Sequence, residues 1–249
     1  MIQSLDRGIK ILDILERKKS AGVIEIAKEI KIDKSSAFRL LDTLKANNLV
    51  EQDPVSGKYR ISGGILRFGN SFLKRTNVLR IARPYLEQLS NITNESAHLC
   101  VFSNDRVIVI DQVMSAEIIQ VTAKIGKEEV IYCTSVGKVI LAYQTEKIRE
   151  KILEATEFVK FTDNTVKDRQ ELNTRLNEIR NQGYAVDYEE MTLGVRCAAA
   201  PVKNHAGEVN YCIGISGLAA RMTDENLSKY LKKLKESAEM ISKDLGYTD

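Results

Sequence analysis

Basic and hydroxyl side chains share one face of a short predicted helix near the start of the chain. The i, i+3, i+4, i+7 spacing of Ala37, Leu40, Leu41 and Leu44 predicts a helix over residues 34–46 that buries these four residues. Hydroxyls suit phosphates or base edges, and Arg can bind guanine through two hydrogen bonds, so the opposite face is predicted to contact DNA; a solvated surface is the alternative. That face carries Lys34, Ser35, Ser36, Phe38, Arg39, Asp42 and Lys45.

Two further helices are predicted to hold this helix in place. Ser4 is expected to cap a helix that ends near Arg17 and buries a stripe of Leu5, Ile9, Leu12 and Leu15. A second, short helix follows over residues 23–30. Asp33 then suits the N-cap of the third helix, because its carboxylate can accept a hydrogen bond from a free backbone N–H. Two helices joined by a short turn, the second with a polar outer face, form a helix-turn-helix pattern.

A hairpin pattern follows these helices. The turn residues at 53–57 separate two short runs in which Tyr59 and Ile61 point inward while Lys58 and Arg60 point outward. Three helices and a basic hairpin predict a winged helix-turn-helix over residues 1–62, whose wing lies along DNA. The alternative is a helical interaction module whose basic head docks on another protein, with a small-molecule-binding signalling or scaffold role.

The charge distribution agrees with a polyanionic partner for the head. The chain has 249 residues and a net charge of +3, but residues 1–75 hold 15 Lys/Arg against 9 Asp/Glu, and the remainder is mildly acidic. No apolar run is long enough to cross a bilayer, and the start does not resemble an export signal. The four cysteines are far apart, so we expect reduced thiols in a cytoplasmic protein that makes no membrane contact.

Residues 63–76 are predicted to form a linker helix that dimerises the chain. Ile65, Phe68 and Phe72 make one apolar stripe, and Leu66 and Leu73 make another. A helix that is apolar on two sides needs a partner, which the same chain or a second copy could supply. Thr76 or Asn77 is then expected to start the next helix.

The rest of the chain, residues 77–249, has an α+β pattern with a largely antiparallel sheet. After the helix that begins near Asn77, strands are predicted at 97–102, 106–111 and 118–122, with a hairpin turn at Asn104 and Asp105. Helices follow at 136–143, 146–155 and 168–182. Strands return at 184–188, 195–202 and 209–216, before a last helix over residues 223–245.

The chain resembles the IclR family of bacterial transcriptional regulators along essentially its whole length. The resemblance implies a winged helix on a double-stranded DNA operator, a dimerising linker helix, and a C-terminal GAF-like domain that binds a small organic acid rather than a cofactor. It also implies a homodimer, often a dimer of dimers, on a pseudo-palindromic operator, and action as a repressor or an activator. The segments that carry it are residues 4–12, 34–41, 57–61, 134–138, 183–187, 194–202 and 214–217.

The start of one helix is the expected site of the effector's carboxylate. Thr134, Ser135, Val136 and Gly137 precede an apolar helical run, and free N–H groups at a helix start favour an anion. Thr134 and Ser135 would add hydroxyl donors. Ordinary helix capping explains these residues equally well. The phosphate-loop pattern is incomplete here, because Val139 follows Lys138.

By resemblance, the effector site also includes Asp187, Cys197 and Ser216. Many relatives have a serine where this chain has Gly214, which predicts either one hydroxyl fewer or a larger ligand. Asp187 is expected opposite the ligand's carboxylate. Cys197 could equally be a structural thiol. An apolar lining is expected from residues that also suit a plain core, namely Val113, Met114, Ile119, Val121, Ile125 and Val130.

Enzyme motifs are missing from the sequence. It holds two histidines, and His98 is expected to be a hydrogen-bonded core residue. No zinc-protease motif, nucleophile elbow or dinucleotide loop occurs. A metal cluster of His98, Cys100, Cys197 and Cys212 is conceivable on strands but not expected. The sequence therefore predicts a ligand-responsive DNA-binding regulator, and an enzyme is the least favoured class.

Overall fold

The computed structural model describes residues 2–75 and 77–248, with only the backbone given for residues 72–75. The chain divides into two units, Met1–Thr76 and Asn77–Asp249, which we describe separately. The expectations placed on Thr76 and on the side chains of Phe72 and Leu73 lie outside the described residues.

The described part of the first unit holds three helices and a hairpin, followed by a 3₁₀ turn and the linker helix. The Asp33 carboxylate accepts a hydrogen bond of 2.9 Å from the Ser36 amide and so caps the third helix, as predicted. The two strands pair antiparallel, and Tyr59 is buried while Arg60 points outward. The winged helix-turn-helix is confirmed. Its elements are α1 (Gln3–Lys18), α2 (Val23–Glu29), α3 (Lys34–Ala46), β1 (Val50–Gln52), β2 (Tyr59–Ile61), a 3₁₀ turn (Gly63–Ile65) and α4 (Leu66–Arg75).

The predicted buried face of α1 was half right, since Leu15 is buried and Leu12 packs against the core. The N-cap position is Ile2 rather than Ser4, and no side chain caps the helix. Leu5 and Ile9 are 62% and 52% exposed, whereas Ile11 and Ile14 are buried. Apolar residues cover a wide arc of this helix, so the sequence allows more than one stripe. The face that packs against the rest of the unit decides which stripe is buried.

The second unit is built on one sheet. Its strands run in the order β5-β4-β3-β8-β7-β6, and every neighbouring pair is antiparallel. Helices α5 and α9 pack on one face, and α6, α7 and α8 contribute the core on the other. The elements are α5 (Val78–Thr93), β3 (Ser96–Ser103), β4 (Arg106–Val113), β5 (Glu128–Glu129), α6 (Ser135–Tyr143), α7 (Glu146–Glu154), α8 (Arg169–Gln182), β6 (Ala185–Tyr188), β7 (Val195–Lys203), β8 (Val209–Leu218) and α9 (Asp224–Asp244).

The strand predicted at 118–122 does not form. This segment is an irregular loop in which Ile118 is fully exposed, and β5 lies further on at Glu128–Glu129. Alternating apolar residues suggested a strand, but the segment pairs with no neighbouring strand. Instead, the Arg221 guanidinium donates a hydrogen bond of 3.1 Å to the Ile119 carbonyl. The other predicted strands and helices of this unit are present.

Mutations can test which apolar residues of α1 are buried. Ile11→Ala should destabilise the first unit by about 2–5 kcal/mol, because it leaves a cavity in the core. Ile9→Ala should change stability by no more than about 0.5 kcal/mol, since it removes an exposed side chain. Hydrogen exchange of the α3 amides in the full chain measures both effects. Equal losses of stability in the two variants would mean that Ile9 is buried, as the predicted stripe requires.

Candidate functional site

The outward face of α3 is exposed and partly free of ion pairs. Lys34, Arg39 and Asp42 are exposed, and Phe38 is 52% exposed. Within the first unit's described residues, neither Lys34 nor Arg39 forms an ion pair. Arg39 is thus a free guanidinium next to the N-terminal half of the helix. This is the arrangement expected of a residue that reads base edges.

The serines at the start of α3 are already used in the cap. The Ser35 hydroxyl donates to the Asp33 carboxylate at 2.5 Å, and Ser36 is half-buried. Hydrogen bonds from the side chains of Ser35 and Ser36 hold the pKa of Asp33 well below its usual range. In this arrangement the Ser35 proton is not available to a phosphate.

The two outward cations of the wing differ in their pairing: within the described part of the first unit, Lys58 forms no salt bridge. Lys58 is exposed, while Arg60 pairs across the hairpin with Glu51, with Nε and Oε1 2.6 Å apart. Arg60 points outward as predicted, and Glu51 lies directly opposite it in the register. An exposed pair of this kind contributes about 0–1 kcal/mol, so a phosphate can replace Glu51 at small cost.

A cavity of about 110 Å³ lies in the second unit between the start of α6 and the sheet. It brings together six of the eight residues expected at the effector site, namely Thr134, Ser135, Val136, Asp187, Cys197 and Ser216. In the register, Asp187 lies opposite Cys197, and Cys197 lies opposite Ser216, so three adjacent strands contribute one row. Gly137 and Gly214 do not line the cavity.

The start of α6 offers two amides. The Thr134 hydroxyl accepts a hydrogen bond from the Gly137 amide at 3.1 Å and donates to the Val130 carbonyl at 2.7 Å. Its proton is therefore used, and Thr134 is not the ligand donor that was expected. Among the described residues, the Ser135 and Val136 amides have no hydrogen-bond acceptor. These two N–H groups and the Ser135 hydroxyl can donate hydrogen bonds to an anion.

Both glycines serve close packing rather than the cavity wall. A Cβ on Gly137 would lie 2.6 Å from the Ile131 backbone, so the glycine lets α6 approach that segment. A Cβ on Gly214 would lie 2.5 Å from the His98 imidazole. The expectation that Gly214 enlarges the pocket was wrong, because His98 fills the space.

Burial sets the protonation of the cavity residues. It raises the pKa of Asp187 to about 7, against the hydrogen bond that its carboxylate accepts from the Glu190 amide at 2.6 Å. Burial also raises the pKa of the Cys197 thiol to about 12 and lowers that of His98 to about 4. At neutral pH, His98 and Cys197 are therefore uncharged and Asp187 is partly protonated.

The expected apolar lining was largely wrong. Of the six residues, only Val121 lines the cavity. Met114, Ile119 and Ile125 are exposed, and Ile119 lies in the segment that was expected to be a strand but is a loop. Val113 and Val130 pack instead against the two cores.

The residues that sequence reasoning missed come from distant segments. His98 lines the cavity, and within the described part of the chain its Nδ1 has no hydrogen-bond partner. It is therefore not the hydrogen-bonded core residue that was expected. Only the pairing of β3 with β8, which places His98 opposite Gly214, reveals this. Other lining residues that were not anticipated are Thr122, Ala123, Lys127, Glu129, Met191, Thr192 and Val195.

A buried ion pair connects two of the segments that form the cavity. The Lys138 ammonium pairs with Glu190 and donates to the Val186 carbonyl at 2.8 Å, and both charged side chains are almost fully buried. Arg175 lies 3.1 Å from the same carboxylate. Burial raises the pKa of Glu190, and Lys138 opposes that rise. The pair connects α6 to the turn that follows β6. Strand β6 itself carries Asp187.

Neither a metal-ligand cluster nor a membrane-spanning helix occurs in the described residues. In residues 2–75 and 77–248, no group of three or more His, Cys, Asp or Glu side chains is arranged to hold a metal ion. The conceived cluster of His98 with three cysteines is therefore not formed. In the same ranges, no helix combines the length and apolar character needed to span a membrane.

The fold and cavity define a helix-turn-helix protein with a ligand-binding C-terminal domain. Residues 4–54 match the IclR helix-turn-helix domain, and residues 70–243 match the bacterial transcriptional regulator IclR C-terminal domain. The chain therefore belongs to the IclR family of bacterial transcriptional regulators. Members of this family are regulators rather than enzymes.

Individual relatives agree with this assignment. The chain is 31% identical to the HTH-type transcriptional repressor AllR of Salmonella typhimurium, over 98% of this chain and 90% of that protein. The structure of the Thermotoga maritima IclR superposes with a TM-score of 0.81 at 31% identity, covering 99% and 100% of the two chains. An IclR homologue from Microbacterium hydrocarbonoxydans, solved with 4-hydroxybenzoate, gives a TM-score of 0.83 at 20% identity and coverage of 98% and 99%.

The buried ion pair predicts a specific double-mutant result. Lys138→Met should destabilise the second unit by about 3–5 kcal/mol, because Glu190 would keep a buried charge without its lysine. Adding Glu190→Gln should recover most of that loss, since no buried charge then remains unpaired. Urea denaturation of the full chain, followed by hydrogen exchange in α6, measures the three variants. A double variant no more stable than Lys138→Met would contradict this account.

Proposed function

We propose that this protein is a ligand-responsive repressor whose C-terminal unit binds a small organic acid and thereby alters operator affinity. The observation that carries the proposal is the cavity at the start of α6, in a chain that also has a winged helix with a free Arg39. Ser135, Asp187, Cys197 and Ser216 supply polar groups to that cavity. The protein acts in the cytoplasm, where bacterial DNA lies.

The DNA contact is assigned to α3 and the wing. Arg39 reads a base edge in the major groove, and Phe38 can contact a thymine methyl group. Lys34 and Lys58 contact phosphates, as does Arg60 once Glu51 is displaced. Ser35, Ser36 and Asp42 complete the surface, with Asp33 holding the helix start in shape.

The effector is a small carboxylate. Its anion meets the Ser135 and Val136 amides and the Ser135 hydroxyl, while Asp187, Cys197 and Ser216 face the rest of the ligand. The 4-hydroxybenzoate bound by the Microbacterium homologue is also a carboxylate, which supports this class. A cavity of about 150 Å³ holds benzene, so the 110 Å³ found here favours a smaller molecule.

Repression and assembly are part of the same proposal. AllR is a repressor, which supports that sign of regulation. Leu66 and Phe68 on α4 are 63% and 57% exposed, and a second copy of the chain covers them in a homodimer that reads two half-sites. Two dimers can then join. The linker carries the signal, because it is the covalent connection between the units, and a coupling of about 1–3 kcal/mol suffices.

The DNA assignment is tested with Arg39→Ala. Affinity for the DNA upstream of the protein's own gene should fall by about 1–3 kcal/mol, with a smaller loss on random DNA, because a base contact is removed. Stability should not change, since Arg39 is exposed. Titrations of labelled DNA at one fixed salt concentration give both affinities.

Lys10→Ala is the matched control, since it removes one positive charge from α1 of the same unit and not from α3. Equal losses on both DNAs would make Arg39 a phosphate contact. No loss on either would place the DNA surface elsewhere.

Effector affinity should fall as the pH rises through 7. Asp187, with its pKa of about 7, becomes an anion and then repels the ligand's carboxylate, so affinity should drop about tenfold between pH 6 and 8. The buried charges nearby are Glu190, which adds to the repulsion, and Lys138, which opposes it. Asp187→Asn should remove the dependence while keeping the acceptor for the Glu190 amide. Calorimetric titration measures this, and an unchanged slope in the variant would contradict it.

A further inference from the structure

His98 lies across a row of small residues that adjoins the polar row of the cavity. The register places His98 opposite Gly214, Gly214 opposite Ala199, and Ala199 opposite Ala185, on adjacent strands. A side chain on residue 214 would lie 2.5 Å from the His98 Nε2 atom, so the ring rests directly over the glycine. In this chain the His98 imidazole therefore occupies the space that the side chain of a serine at position 214 would fill.

The imidazole is buried without a complete set of hydrogen bonds. His98 is only 4% exposed, and its Nδ1 atom has no partner among the described residues. Buried polar side chains are nearly always hydrogen-bonded in folded proteins, so this one needs an explanation. Because the residue lines the cavity, a bound ligand can supply the missing partner.

The chemistry of the ring selects the kind of partner. Burial lowers the pKa of His98 to about 4, so the ring is neutral near pH 7 and offers one donor and one acceptor. An acceptor nitrogen repels a carboxylate but binds a hydroxyl, which can also accept from the ring N–H. The amides at the start of α6 suit the carboxylate better, so His98 suits a second polar group on the ligand.

We propose that the effector is a hydroxy acid of about three or four carbons, and that His98 is the specificity-determining residue that binds its hydroxyl group. This proposal rests on the function proposed above and adds the ligand's second recognition group. The cavity volume of about 110 Å³ fits such a molecule, and a neutral imidazole distinguishes a hydroxy acid from the acid that lacks the hydroxyl.

Nitrogen NMR on the full chain tests this assignment directly. The sequence holds only His98 and His205, so ¹⁵N-histidine labelling gives two imidazole spin systems. His205→Gln assigns them and serves as the matched control, because His205 is an exposed turn residue. The probes are lactate and propionate, which differ in one hydroxyl group.

Lactate should shift the His98 ring nitrogens and leave those of His205 unchanged, and propionate should not shift either. Lactate should also bind at least about tenfold more tightly than propionate, since a site built for a hydroxyl rejects the analogue without it. His98→Gln should reduce that preference, and His205→Gln should preserve it. The NMR result on the unsubstituted chain stands even if His98→Gln folds poorly.

Three outcomes would overturn the proposal. Equal affinities for lactate and propionate would remove the hydroxyl from recognition. Binding of lactate without shifts of the His98 ring nitrogens would leave a carboxylate site but exclude the histidine. No binding of either probe at about 10 mM would exclude this ligand class at millimolar affinity. In each case the DNA titrations decide separately whether the protein is a DNA-binding regulator.

Discussion

The pairing of Lys138 with Glu190 is the constraint on which the effector cavity depends. Two opposite charges taken out of water are costly to separate, so the helix and the turn that carry them keep one relative position. The same lysine donates a hydrogen bond to the Val186 carbonyl, and the Glu190 amide donates one to the Asp187 carboxylate. The free amides of α6 are thereby held beside the polar row of the sheet, which is what a small ligand with two different ends requires.

The cavity combines the start of α6 with a wall of uncharged polar side chains and one charged pair, Lys127 and Glu129. Burial keeps His98 and Cys197 uncharged, and Asp187 is close to its titration midpoint at neutral pH. Such a wall can distinguish ligands by hydrogen bonding without strong attraction for every small anion. In the complex proposed above, specificity comes from the second polar group of the ligand, and the carboxylate provides a general anchor.

Local patterns predicted the DNA-binding unit well. The Asp33 cap and the periodicity of α3 depend on neighbouring residues, so the helix bounds were found at Lys34 and Ala46. The buried face of α1 was predicted only in part, because several apolar stripes compete and tertiary packing selects one. The role of His98 was missed for a related reason. Its contact with Gly214 depends on the pairing of β3 with β8. These strands are far apart in the sequence, and no local pattern predicts that they pair.

The row of Ala185, Ala199 and Gly214 has a consequence for how this protein could diverge. Backbone hydrogen bonds hold these strands together, so side chains along the row can change without altering the sheet. One codon change at residue 98 would exchange the recognition group while leaving the winged helix untouched, and a smaller residue there would make room for a side chain on residue 214. After gene duplication, sensing could therefore evolve separately from operator choice, and one copy could acquire a new signal while still controlling the old genes.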